Sequence, residues 1–237
     1  MNSYRKTAII VGVLFIIALV LDIIGRGIYE PILNAPDFLV NAYPNKIQLI
    51  IGIILEFICA PAIILIPIML FPIFKKYNES IALGYIGFRL LEGIFFIFMV
   101  INSLSLISLS QEYLNSGAGN TSYFQILGNS IQVENYWTTL IYIIVFTLGA
   151  LMVYYLLYKS KLIPRFISVW GLIAAALLLI GALLGMLGLI PLSKVMNFFG
   201  PPIALNEITL SVWLIAKGFN SSAIASYSLK KDINKVK

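Results

Sequence analysis

The sequence predicts an all-α polytopic membrane protein, a bundle of six transmembrane helices with both termini cytoplasmic. Of its 237 residues, 60% are hydrophobic and 11% charged, with a mean hydropathy of +0.97. Charged residues make up about a quarter of a soluble domain, so a soluble core would not absorb this much apolar surface. Several separate apolar runs exceed the roughly 18 residues that identify a membrane span. The basic residues also segregate by side. Arg5, Lys6, Lys75, Lys76, Lys159, Lys161, Arg165, Lys217 and the tail lysines fall on one side, and Arg26, Lys46 and Lys194 on the other. By the positive-inside rule the first side is cytoplasmic.

Residues 1–237 form a single domain. Span one covers about residues 7–28. Arg5 and Lys6 precede it as they would a signal peptide, but no small-residue cleavage site follows and five more spans lie downstream, so a transmembrane helix is expected. It ends at Asp22, Gly25, Arg26 and Gly27, before a loop punctuated by Pro31, Pro36 and Pro44. Residues 37–43 are too short to span and are assigned to the interface.

Span two, about residues 47–74, holds Glu56 and three prolines, Pro61, Pro67 and Pro72. Each proline removes an amide donor and crowds the carbonyl four residues earlier, so a kinked or broken helix is expected. A polar turn at Lys75 to Ser80 leads to span three, about residues 81–108, which carries Arg89 and Glu92. The connection to residue 134 is the longest, with a flexible tip at Gly117 and Gly119. Tyr123, Phe124, Ile126, Leu127 and Ile131 predict a separate amphipathic helix on the membrane surface over about residues 121–132.

Span four covers about residues 137–158 and ends in an aromatic belt of Tyr154, Tyr155 and Tyr158. Span five, about residues 166–190, carries Gly181 and Gly185 in a small-xxx-small spacing that predicts a helix-packing face. Span six, about residues 202–217, stops at Gly218 and leaves a basic cytoplasmic tail over residues 218–237. That tail suits topology and anionic lipid contact, not nucleic acid.

The absence of histidine removes imidazole acid–base chemistry and most zinc sites. Cys59 stands alone, which excludes an internal disulfide and leaves it a packing residue. No metal or cofactor is implied. There is no phosphate-binding glycine-rich loop and no recognisable protease motif, so the chain is not expected to be an enzyme.

The chemistry that remains lies in Glu56, Arg89, Glu92 and Glu207. A charge at the membrane centre costs about 2.5–3.5 kcal/mol, so these groups must pair, protonate or meet water. Helical rise places Glu92 about 16 Å from the cytoplasmic end of its span, and Glu56 and Glu207 about 13 and 8 Å from the outer ends of theirs. Arg89 and Glu92, three residues apart, share a helix face. Arg89 has a second edge for another carboxylate, with Glu56 and Glu207 as candidates. Asp22 and Arg26, four apart near the interface, are expected to form a local pair. Holding a glutamate neutral at pH 7 costs about 3.7 kcal/mol from an ordinary value near 4.3. That is close to the insertion cost, so an acid in excess is poised to bind a proton.

The leading expectation is a small secondary transporter or a receptor for a small or lipophilic ligand. Its site lies among spans two, three and six, with Arg89 as carboxylate partner, Glu92 as counter-ion and Glu56 or Glu207 as proton carrier. The alternative is a non-transporting accessory or sensor subunit, in which the same charges form a closed structural network. Besides the lipid bilayer, the implied partner is a small molecule or a proton.

Several stretches carry a family resemblance: Arg5-Lys6-Thr7-Ala8-Ile9-Ile10; Leu70-Phe71-Pro72 with Lys75-Lys76; Ala82 to Arg89 with Glu92-Gly93; Tyr154 to Tyr158 through Leu162-Ile163-Pro164-Arg165 to Trp170-Gly171; and Ala204-Leu205-Asn206-Glu207 through Trp213 to Lys217-Gly218-Phe219. Together they resemble the bacterial membrane family known as domain of unknown function 4386, over nearly the whole chain. The resemblance implies a multi-span protein of the bacterial plasma membrane and assigns no chemistry to Arg89, Glu92 or Glu207.

Overall fold

In the computed structural model, which describes residues 3–117 and 121–225, the chain is helical throughout its ordered elements. The elements are α1 (Ser3–Leu33), α2 (Phe38–Asn41), α3 (Lys46–Phe74), α4 (Glu79–Asn115), α5 (Thr121–Ser160), α6 (Arg165–Met186), α7 (Leu192–Lys194), a π-helical turn (Val195–Phe199) and α8 (Gly200–Ala216). Six helical stretches are long and apolar enough to cross a membrane, the last running from Leu192 to Ala216. The tail lysines from Lys230 onward, and the loop tip at Gly119, lie outside the described residues.

The six long helices form a closed ring in chain order, α1, α3, α4, α5, α6 and α8, with α8 packing back on α1. Arg5 fastens that seam. Its guanidinium donates to the carbonyls of Leu214 (2.9 Å) and Ile215 (2.6 Å), satisfying the open C-terminal end of α8 and placing the start of α1 beside it.

Burial follows lipid, not water, as the solvent. Along α4 a buried row runs through Ala82, Tyr85, Arg89, Glu92, Phe96, Met99, Ser103, Leu106 and Ser110, alternately three and four residues apart, flanked by buried Gly93, Val100, Asn102 and Ile107. That is the seam of a helix packed on its neighbours at a shallow angle. Arg89 and Glu92 lie in this row, while Ile94, Ile97, Phe98 and Ile101 face outward.

Four features differ from the sequence prediction. Span one continues past Gly27 and Pro31 to Leu33. Arg26 bridges one turn back to Asp22 and one turn forward to Glu30, which holds the helix together there. The ring of Pro31 meets the carbonyl of Gly27, a residue with no neighbour crowding it. Secondly, of the kinked or broken helix expected for α3, the break is absent: helix continues through Pro61, Pro67 and Pro72.

Thirdly, residues 121–132 do not form a separate surface helix but are the first turns of α5. No proline interrupts the segment, and it packs on the outer ends of other helices. Gln132 donates to the Leu33 carbonyl at 2.8 Å, Phe124 meets Tyr113 edge to face, and the Phe38 ring lies directly over Gly128. At 40 residues α5 is about 60 Å long, twice the roughly 30 Å hydrocarbon thickness, so its outer end projects beyond the membrane. There α2 packs through buried Phe38 and Leu39; Ser110 donates to the Leu39 carbonyl and accepts from the Tyr43 amide.

Finally, the sixth span begins at Leu192 and passes through the π turn. Phe199 packs on Gly181, and Val195 with Leu140 on Gly185, which makes the small-residue face of α6 a packing surface as expected.

Candidate functional site

Two ionic centres lie inside the ring, and they divide the residues expected to converge. The first is organised by Arg26. Its Nε meets Asp22 at 2.8 Å, its Nη1 Glu30 at 3.2 Å and its Nη2 Glu56 at 3.2 Å. The Tyr29 hydroxyl donates to the other Glu56 oxygen at 2.6 Å. Glu56 is completely buried; its Oε2 accepts that hydrogen bond, whereas Oε1 has the ion pair with Arg26 but no hydrogen bond among the described residues. The close approach of α1 and α3 at Gly25 and Gly52 allows this. A Cβ on either glycine would lie 2.7–2.8 Å from the other's carbonyl oxygen.

The second centre is organised by Arg89. Its Nη1 donates to both Glu92 oxygens at 3.0 and 3.2 Å, and its Nη2 lies 3.7 Å from Glu207 on α8. The guanidinium carbon sits 5.5–5.7 Å from the ring centroids of Phe15, Tyr85 and Phe146, within reach of cation–π attraction from three helices. Arg89 and Glu92 are 3% and 2% exposed. Nε and Nη2 of Arg89, and the Tyr85 hydroxyl, make no hydrogen bond among the described residues.

The expected grouping is therefore half realised. Arg89, Glu92 and Glu207 come together, whereas Glu56 belongs to Arg26 on α1. The Asp22–Arg26 pair does form, but it extends to Glu30 and Glu56 and is not confined to the interface. Arg26, Tyr29 and Asp22 were missed as site residues. The i, i+4 spacing of Asp22, Arg26 and Glu30 was a usable signal, hidden by ending the helix at Gly27.

A cavity of about 510 Å³ occupies the middle of the ring, within the usual range of roughly 300–1,000 Å³ for small-molecule sites. Arg89, Glu92 and Glu207 lie on its wall, with Asp22 linking it to the Arg26 centre. The rest is largely apolar, including Phe15, Leu19, Ile63, Ile66, Phe96, Phe146 and Leu178. Its rim carries Ile23 (60% exposed) on α1, Met196 in the π turn and Leu205 (56% exposed) on α8. The cavity thus opens beside α1, the π turn and α8. Irregular backbone does border it, but in the π turn and Gly200, not in α3.

The centre can hold a small, mostly apolar molecule against one guanidinium and two carboxylates. Formal charges of +1 for Arg89 and −1 each for Glu92 and Glu207 leave a net −1 in this centre, while Asp22, which also lines the cavity, is paired with Arg26.

A family model described as Domain of unknown function (DUF4386) matches residues 10–218. No curated protein and no solved structure matches the chain.

Proposed function

We propose, for a chain that belongs to the DUF4386 family, that it is a small secondary transporter of the bacterial plasma membrane. Its ligand is a small lipophilic molecule held in the central cavity of the ring. The carrying observation is the Arg89, Glu92 and Glu207 centre on the wall of a 510 Å³ apolar cavity. Buried ionisable groups in a membrane are costly to keep and mark ligand or proton paths. Arg89 serves as the ligand's polar partner, Glu92 orients Arg89, and Glu207, less buried and more weakly held, carries the proton. Glu56 stays with Arg26 and ties α1 to α3.

Both termini are cytoplasmic in this proposal. Arg5 beside Lys217, and Lys161 and Arg165 sharing a pocket with Lys217, gather positive charge at the end of the bundle where the chain starts and the last helix ends. The test is flux in proteoliposomes. A pH gradient should drive uptake of a lipophilic probe, and Glu92→Gln and Glu207→Gln should abolish the coupling at unchanged folding yield. If there is no gradient-dependent flux and both variants alter only yield, the transporter proposal is overturned.

A second proposal, a non-transporting accessory or sensor subunit, is favoured by the Arg26 centre, where Arg26 pairs with Asp22, Glu30 and Glu56 and ties α1 to α3 in a structural role. Stoichiometric co-purification of another protein from native membranes would support it. A solitary, stable chain would count against it.

A further inference from the structure

Taking the central cavity to be a ligand site, as proposed above, we infer that its ligand is a lipophilic monoanion, a single-chain carboxylate. Its head docks on the Nε/Nη2 edge of Arg89 in place of Glu207, which takes up one proton as the ligand enters. The starting point is the hydrogen bonding of Arg89. Only Nη1 is engaged, by the two oxygens of Glu92. Nε and Nη2 form one side of the planar guanidinium, the fork that grips a carboxylate through two parallel hydrogen bonds. Neither donor makes a hydrogen bond, Nη2 having only the 3.7 Å ion pair with Glu207; both atoms are buried, so this edge opens to the cavity that Arg89 lines as Glu207 moves away. Unpaired donors of a buried charged group are costly, and a carboxylate entering the cavity satisfies both at once.

Glu207 is the weak competitor for that edge. It approaches Nη2 at 3.7 Å, beyond hydrogen-bond distance, from a different helix, and its side chain is 14% exposed against 2% for Glu92. Sharing the cavity wall with it are Asp22 from α1, Arg89 and Glu92 from α4 and Tyr142 from α5, with the Tyr85 ring of α4 against Arg89. On α6 the one charged residue, Arg165, lies beside Lys217 at the far end, and the π turn carries none.

Charge balance then requires a proton. An anion added to the net −1 of Arg89, Glu92 and Glu207 would make −2 in a medium of low dielectric. Protonating Glu207 keeps the total at −1, with Arg89 shared between Glu92 and the ligand. A lipophilic cation fits less well, because the faces of Phe15, Tyr85 and Phe146 already carry the guanidinium. A neutral ligand leaves the Arg89 edge unfilled. The apolar tail lies along Leu19, Ile63, Ile66 and Leu178 and reaches the opening between Ile23 and Leu205.

The experiment compares binding of decanoate, decanol and decylamine to the purified full chain in nonionic detergent, with an indicator dye following protons in weak buffer. Decanoate should bind at least tenfold more tightly than the other two and take up about one proton per molecule bound at pH values where Glu207 is ionised in the free protein. Its affinity should weaken about tenfold per pH unit where Glu207 is ionised in the free protein. Glu207→Gln should bind decanoate without proton uptake, with affinity independent of pH and tighter than wild type at pH 8. Arg89→Lys, which keeps the charge but loses the fork, should weaken decanoate at least tenfold and leave decanol unchanged.

Equal binding of decanol or decylamine, or decanoate binding without proton uptake by the wild type, would overturn the carboxylate inference while leaving the cavity as a ligand site. Failure of all three probes to bind would overturn the ligand site itself.

Discussion

The hydroxyl of Tyr29 on α1 donates to the carboxylate of Glu56 on α3 at 2.6 Å, one turn beyond the point where Gly25 and Gly52 bring the two backbones together. Tyr29 holds one Glu56 oxygen by a hydrogen bond, and Arg26 faces the other as an ion pair without one. Tyr29→Phe strands one oxygen of a completely buried carboxylate, an expected loss of about 1–3 kcal/mol. Arg26→Leu, which leaves the acid without its counter-charge, should cost about 3–5 kcal/mol. Thermal unfolding in detergent should rank Arg26→Leu below Tyr29→Phe and both below wild type. Equal midpoints for all three would show that the centre contributes nothing to the fold.

The glycine contact gives a second test with an internal control. Gly52→Val places two methyl groups against the Gly25 carbonyl, where even a Cβ would be 2.8 Å away. Helix separation should then break the Glu56 contacts as well, so the loss should exceed that of Tyr29→Phe. Gly27, two residues along α1 from Gly25, has nothing within 4 Å of a Cβ. Gly27→Ala should therefore be neutral, or stabilising by up to about 1 kcal/mol through helix propensity. A destabilising Gly27→Ala would contradict the continuous helix through this point.

These contacts mark the boundary of what was legible in the chain. The buried seam of α4 could be read from spacing, because Tyr85, Arg89, Glu92 and Phe96 recur at intervals of four, three and four in a segment where only helix is possible. Hydrophobic periodicity was of little help, since the outward face is as apolar as the inward one. Charge was the readable signal, and it brought Arg89, Glu92 and Glu207 together. Glu56 was misassigned because its partner depends on two glycines touching across helices, which spacing along one helix does not reveal. The outer layer was missed for a different reason. Amphipathic residues such as Phe124 and Ile131 look alike whether they lie on lipid or on a cap formed by α2 and the ends of α4 and α5.

Arg5 offers a test of ring closure. Its guanidinium donates to Leu214 and Ile215 at the end of α8 while α1 packs beside it. Hydrogen bonds from a charged donor are worth about 1.5–3 kcal/mol when buried, and this one is half-buried, so Arg5→Ala should cost about 1–2 kcal/mol. Hydrogen exchange should show the effect locally, with faster exchange at 210–217 and little change in α4. Uniform acceleration throughout the bundle, or none, would mean that the seam is held by apolar packing instead.

The last prediction separates the cavity from the charges that line it. Ala204 sits on the α8 wall of the cavity, next to the rim residue Leu205 and three residues before Glu207. Ala204→Phe adds a ring that occupies the apolar space without altering a charge. It removes void, so stability should stay within about 1–2 kcal/mol of wild type. The matching control is Leu183→Phe on α6, 45% exposed toward lipid and outside the cavity lining. Uptake of a lipophilic probe should fall at least tenfold in Ala204→Phe and be unchanged in Leu183→Phe. Because Arg89, Glu92 and Glu207 are intact in both variants, loss of transport in Ala204→Phe alone would locate the ligand in this space. Retained transport in Ala204→Phe would place the path outside the ring, whatever the glutamate variants do.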